Sequence, residues 1–171
     1  MLLIKQEAIN QYRSGIFHYS PEELLRSPEE AVNFVDQRGF ILFWPDPKMA
    51  LPNLWQAVAG NRPVPDDHDD PGHVTWNWKD SLLDKKVWYY ARVIRQRNTF
   101  ISLGLLPYFY ALSPNYGSPL DDIQDQYSQG ALPLEAKQIF ETLLEKGALD
   151  TISLRKEARL TSSNSNQPFQ R

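Results

Sequence analysis

The sequence predicts a mainly α-helical fold with a minor β contribution, closing in an incomplete helix-turn-helix unit. Three observations lead there. Helix starts are written plainly, with proline at the first helical position behind a serine or ahead of an apolar stripe. One apolar run, Phe40-Ile41-Leu42-Phe43-Trp44, is too short and too aromatic for a helix and reads as a buried strand. The segment after Pro133 reads as a long helix, a short helix and a polar turn before a third helix. A chain of 171 residues can bury a core without staples. The expected division is an aromatic-rich, mostly helical domain over 1–130 and the incomplete helix-turn-helix segment over 131–171.

Ser20-Pro21-Glu22-Glu23 and Ser27-Pro28-Glu29-Glu30 each supply a capping hydroxyl, a proline and first-turn acids. Ser27 with Glu30 also fits a capping box, and that helix should run to Arg38 with Ala31, Phe34 and Val35 buried and Gly39 as its stop. Asn53 to Gly60 predicts a short helix with Leu54, Trp55 and Val58 inward. Residues 61–75, with Pro63, Pro65, Pro71 and Gly72, predict a loop. Leu83, Val87, Tyr90, Ala91 and Ile94 recur at helical spacing, so Ser81–Gln96 is expected to be a basic amphipathic helix. The period leaves Thr99–Leu103 open between strand and helix start. Pro107 predicts a short, kinked helix over Leu103–Leu112, and Pro114-Asn115-Tyr116-Gly117 a turn. Asp121–Tyr127 is expected to be a short acidic helix. Leu134–Lys146 gives the clearest helix, apolar at Ala136, Ile139, Phe140 and Leu143 and stopped by Gly147. Thr151 is the expected cap of the next helix, with Leu154 and Ala158 packed on the preceding one. A further helix is expected to begin near Gln167.

The absence of cysteine excludes disulfides, thiolate metal sites and a cysteine nucleophile. Leu2-Leu3-Ile4 is too short for a signal-peptide core or a membrane span, and the mean hydropathy is −0.50. A soluble, cytoplasmic protein with no membrane partner is expected. A net charge of −3 argues against bulk coating of nucleic acid, yet the charge is uneven. Lys79, Lys85, Lys86, Arg92, Arg95 and Arg97 face only Asp80 and Asp84, and Arg155, Lys156, Arg159 and Arg171 face only Glu157. An anionic partner would meet local patches.

In a helix-turn-helix unit the last helix enters the major groove. Lys79, Arg92, Arg95, Arg155, Arg159 and Arg171 are the candidates for phosphate contact with double-stranded DNA, the alternative being charges that only keep helix faces wet. Arg92 and Arg95, three apart, would share a face of the expected helix. Trp76 and Trp78 would share a face if extended and, with Tyr90, could line a pocket for a flat ligand or a flipped base. Asp66-Asp67-His68-Asp69-Asp70 with His73 has metal-ligating chemistry but lacks the spacing of a calcium loop, so it reads as a solvated acidic loop and no metal is expected. No Gly-rich phosphate loop or serine-centred elbow occurs, and no cofactor is expected.

Phe34-Val35 with Gly39-Phe40, Leu51-Pro52-Asn53-Leu54-Trp55, Trp76-Asn77-Trp78-Lys79-Asp80 and Trp88-Tyr89-Tyr90 form a specific series of motifs. It continues through Thr99-Phe100-Ile101-Ser102-Leu103, Tyr108-Phe109-Tyr110-Ala111-Leu112-Ser113 and the Gly147–Leu160 segment. Across these motifs the chain resembles the AlkZ-related proteins, short relatives of the winged-helix DNA glycosylases that unhook interstrand crosslinks. The resemblance implies a DNA-associated winged-helix fold, with a link to DNA repair. It also implies that relatives continue past Arg171 through a recognition helix and a wing, so the last unit is expected to be truncated. The glycosylases of that wider group use two glutamines separated by one apolar residue to handle the attacking water. In the matching context this chain reads Leu42-Phe43-Trp44. Gln124-Asp125-Gln126 has the spacing but lies on an acidic helix and reads as chance. A non-catalytic DNA-associated protein is therefore expected, with no catalytic residue assigned. The alternatives are a glycosylase-like hydrolase acting on alkylated or crosslinked bases and a small-ligand or structural module with a tryptophan-lined pocket.

Overall fold

Helix α2 (Pro28–Arg38) forms where the sequence places it. The Ser27 side chain accepts from the Glu30 N–H, and the Glu30 carboxylate reaches back to the Arg26 N–H at 2.6 Å. Ala31, Phe34 and Val35 are buried. Gly39 ends the helix at φ +77°, and a side chain there would also sit 2.9 Å from Leu105 Cδ2, so both backbone and space require glycine. The chain turns straight into strand β1 (Phe40–Leu42). A computed structural model describes residues 5–160, and these divide into two compact units that meet at Phe109–Tyr110.

In the first unit, helix α1 (Gln6–Ile16) precedes α2, and β1 is the edge of a three-stranded antiparallel sheet. Strand β3 (Asn98–Ser102) lies in the centre and β2 (Trp88–Arg92) on the other edge. Ile41 and Tyr90 both pair with Phe100. Thr99, Phe100 and Ile101 are fully buried, as expected of a central strand covered on both faces. Helix α2 packs on β1 and β3. Beyond β1, Phe43 donates its N–H to the Asn98 carbonyl at 2.8 Å and accepts from the Trp55 N–H at 3.1 Å. That pair fixes helix α3 (Leu54–Ala59), which Asn53 caps, against the sheet. Leu54, Trp55 and Ala57 are buried there, with Val58 packed partly against the core. Helix α4 (Val74–Ser81) completes the layer over the core, and helix α5 (Leu106–Ala111) crosses the boundary between the units.

The second unit holds α6 (Pro119–Ser128), α7 (Leu134–Lys146) and α8 (Thr151–Glu157). Helix α8 packs on α7 through buried Leu154 and Ala158, and Lys146 pairs with Glu157 at 3.6 Å. The protein is thus mainly helical with one small sheet, as its sequence predicts.

Several local expectations are corrected. Ser20–Glu23 forms only a turn, because extended backbone at Ser27 and the Leu25 N–H bond to the Ala57 carbonyl leave no room for a helix. Residues 61–70 are loop, but Pro71–His73 is a 3-10 turn that leads into α4. Ser81–Gln96 is not a helix. Lys86 takes a left-handed conformation, φ 52°, and the aromatic run Trp88-Tyr89-Tyr90 after it pairs as the start of β2. Trp88 is buried while Tyr89 is exposed, a period of two that the helical count of the same apolar residues conceals. Thr99–Ser102 resolves as strand. Asp150, not Thr151, caps α8, accepting from the Ile152 and Ser153 N–H groups, since a carboxylate one residue earlier reaches both. The third helix expected near Gln167 lies outside the described residues.

Phe100 contacts the rings of Phe43, Trp88 and Tyr90 at centroid distances of 5.8, 4.7 and 4.8 Å. Phe100→Ala should therefore destabilise the protein by about 3–5 kcal/mol, read as a lower urea midpoint at unchanged slope.

Candidate functional site

The basic stretch is a hairpin, not a helix face. Between β2 and β3 the chain closes through a tight turn in which the Arg97 N–H bonds the Ile94 carbonyl at 2.8 Å. Arg95 (φ 46°) and Gln96 (φ 61°) both sit in the left-handed region, the geometry that matches the right-handed twist of flanking strands. Neither residue is the Asn or Gly that such turns prefer, so the tip stores backbone strain of about 1–3 kcal/mol per residue. Buried Thr99 holds it from below. Its hydroxyl donates to the Arg97 carbonyl at 2.8 Å and accepts from the Ile94 N–H at 3.3 Å.

The arginines of this hairpin differ in availability. Arg97 Nε lies 2.7 Å from the largely buried Asp46 carboxylate. Its hydrogen bond, with a second from the Lys48 N–H, holds the Asp46 carboxyl below the ordinary carboxylate range. Exposed Arg92 leans on Asn98 Oδ1 at 3.4 Å. Exposed Arg95 makes no ion pair among the described residues. Arg92 and Arg95 therefore stand near one loop end, not three apart on a helix.

Lys79 lies elsewhere and is only 8% exposed. Its ammonium is 2.6 Å from Asp80 Oδ1 and lies over the rings of Trp76 and Tyr90 at 4.4 and 5.3 Å. That cation is engaged by a carboxylate and two aromatic faces. Trp76 and Trp78 are on helix α4, where two residues turn the side chains about 200° apart. Trp78 is buried in the core, whereas Trp76 is 39% exposed. Tyr90 is half-buried against Phe100, and burial, followed by the nearby Asp80 charge, raises its hydroxyl pKa.

Of the three, Trp76 opens onto a cleft. That cleft, about 680 Å³, lies between residues 64–71 and α4, with Trp44 and His73 on its wall and Asp66, His68 and Asp69 on its rim. Trp44 lies 5.9 Å from both the Trp76 ring and the His73 ring. Sequence reasoning misses Trp44 because it closes the strand-like run; the only signal is its position immediately before Pro45. Asp70 is already committed. Arg62 pairs with it at 2.6 Å and stacks over Trp55, and Asp70 accepts from the Gly72 N–H at 2.7 Å. A side chain on Gly72 would meet Ala59 Cβ at 2.7 Å, so glycine lets this loop lie directly on α3. Among the described residues no group of three or more His, Asp or Glu is placed to hold a metal ion.

In the second unit Arg155 is half-buried on α8, while Lys156 and Arg159 are exposed, the last at φ 54°. Arg171 lies outside the described residues. The motifs singled out in the sequence thus fall on the sheet, on α2–α5 and on α8, with Trp55, Trp78, Trp88 and Phe100 buried and Trp76, Tyr89, Tyr108 and Tyr110 exposed.

Residues 25–171 match the AlkZ-related family model. The chain belongs to the AlkZ-related family. Neither a curated protein nor a solved structure matches it. In this AlkZ-related protein the match begins at Leu25, so α1 precedes it and every strand among the described residues lies within it. The positions where the resemblance would set a glutamine pair are Leu42, fully buried, and Trp44, half-buried in the aromatic cluster. Gln124 and Gln126 are exposed on α6. Among the described residues no helix is long and apolar enough to cross a membrane.

The Asp46–Arg97 pair gives a measurable pH signature. Because the folded pKa of Asp46 is depressed, its contribution to stability is present above the ordinary carboxylate pKa and is lost as pH falls through the folded value. A carboxyl carbon NMR titration should place the Asp46 midpoint below that of ordinary aspartates, and Arg97→Gln should move it upward.

Proposed function

We propose that this AlkZ-related protein associates with double-stranded DNA through phosphate contacts and is not itself a catalyst. The observation that carries the proposal is Arg95, exposed and without an ion pair among the described residues, at the end of a braced hairpin beside Arg92. A rigid tip loses less side-chain and backbone freedom on docking than a loose loop does. Arg155 and Arg159 on and just after α8 supply further positive charge, and α7–α8 is taken as the first two helices of a winged-helix unit. Lys79, committed to Asp80 and two rings, contributes least. A link to DNA repair rests on family membership, and the absence of catalysis on Leu42 and Trp44 at the expected glutamine positions.

A second reading, a small-ligand module, is favoured by the cleft at Trp44 and Trp76. Its acidic rim repels phosphate and suits a flat, neutral or cationic guest. Tryptophan fluorescence that answers to small aromatics but not to DNA would favour it.

The DNA reading is tested by anisotropy titration of a labelled duplex at several salt concentrations. Binding should weaken as salt rises, and Arg92→Gln with Arg95→Gln should reduce the log–log salt slope by about 0.9 for each phosphate left without its arginine. No binding at low salt rejects the proposal. Release of bases from alkylated or crosslinked duplex rejects its non-catalytic part.

A further inference from the structure

We infer that the pocket between the end of α1 and the start of α3 binds a small organic carboxylate with an apolar body. The pocket encloses about 640 Å³, within the range of small-molecule sites. Arg13 and Tyr19 lie on its wall and precede residue 25, where the family match begins. The proposed DNA contacts make no use of it.

The chemistry follows from the direction of one hydrogen-bond relay. The Gln56 backbone N–H can only donate, and it donates to Asn53 Oδ1 at 2.8 Å. That fixes the Asn53 amide, whose Nδ2 donates to Gln56 Oε1 at 2.7 Å and to the Tyr19 hydroxyl at 3.4 Å. Gln56 is fixed in turn, and its Nε2 donates to Asn61 Oδ1 at 3.0 Å. Asn53 itself is 1% exposed, and both of its amide hydrogens have partners. The polar side-chain groups that this relay leaves over at the pocket wall are therefore donors: Asn61 Nδ2, the Tyr19 O–H and the Arg13 guanidinium. Uncommitted donors on the wall, beside acceptors that already have their partners, select a ligand that accepts.

Charge narrows the class. Arg13 makes no ion pair among the described residues. The other cation on the wall, Arg62, is neutralised by Asp70, and the wall carboxylate, Asp46, is held by Arg97 and the Lys48 N–H. One positive charge remains, which matches a monoanion better than a phosphate carrying close to two charges. Phe17, Met49 and Leu51 supply the apolar side of the pocket.

The test uses the full chain, labelled for NMR of side-chain amides, with benzoate as the probe and benzylamine and inorganic phosphate as contrasts. Benzoate should bind saturably and shift the Asn61 side-chain amide, and benzylamine should not. Arg13→Gln should weaken benzoate at least about tenfold, the scale of one charge-assisted hydrogen bond. Asn61→Asp, which replaces a donor by an anion on an exposed loop, should abolish binding while the melting temperature holds. Absence of benzoate binding, equal binding of benzylamine, or an unchanged affinity in folded Arg13→Gln overturns the inference. Tighter binding of phosphate than of benzoate overturns the carboxylate class.

Discussion

Phe43 is where the first unit is tied together. Its N–H holds the Asn98 carbonyl of β3 and its carbonyl holds the Trp55 N–H of α3, so one residue joins the sheet to the helical layer. Its ring lies 5.8 Å from Phe100 in a stacked pair, 4.5 Å from Trp44 and 4.9 Å from Trp76. Aromatic pairs of this kind contribute about 0.5–1.5 kcal/mol each beyond the area they bury. Fully buried, that residue touches β3, α3, the Trp44 wall of the cleft and Trp76 of α4 at once. The ring cluster is continuous from Phe43 through Trp44 to the cleft, so the same packing that stabilises the fold shapes that opening.

Much of this is legible in the sequence because local signals and tertiary packing agree. Ser27-Pro28, Gly39, Asn53, Pro133 and Gly147 mark helix ends through chemistry that needs no distant partner. The β2 segment is not legible, because Leu83, Val87, Tyr90 and Ile94 satisfy a helical period that the chain never uses. What decides the matter is β3, a central strand with a vacant edge that Trp88–Arg92 can pair with. The same ambiguity displaces the candidate site. A helical period sets Arg92 and Arg95 on one face, and an extended one sets Trp76 and Trp78 on another. Once the backbone periods are exchanged, Trp76 and Trp78 part, and Arg92 and Arg95 meet at a hairpin end instead of on a helix face.

Charge counting along the chain also overstates what is available at the surface. Lys79 and Arg97 belong to the basic run, yet each is spent inside the first unit, one on Asp80 and two rings, the other on Asp46. The acids behave likewise, since Asp70 serves Arg62 and the Gly72 N–H rather than the solvated cluster its neighbours form. In each pair one partner is largely buried and the other more exposed. Their consequence is selective: they remove some charges from play and leave Arg92 and Arg95 as the available part of the hairpin.

What occupies positions 42 and 44 carries more weight in the folded chain than in the bare sequence. A motif can shift by a residue or two along a sequence and leave its site intact. Here Leu42 is a core residue of β1, fully buried, and Trp44 belongs to the ring cluster that frames the cleft. A glutamine at position 42 would bury an amide whose unsatisfied groups cost about 1–3 kcal/mol. One at position 44 would remove the indole that stands between Trp55, His73 and Trp76. These positions are committed to holding the fold together, so a water-handling role cannot be restored by a rotamer change. A glutamine pair at these two positions would therefore come at the expense of the β1 core and of the ring cluster at once.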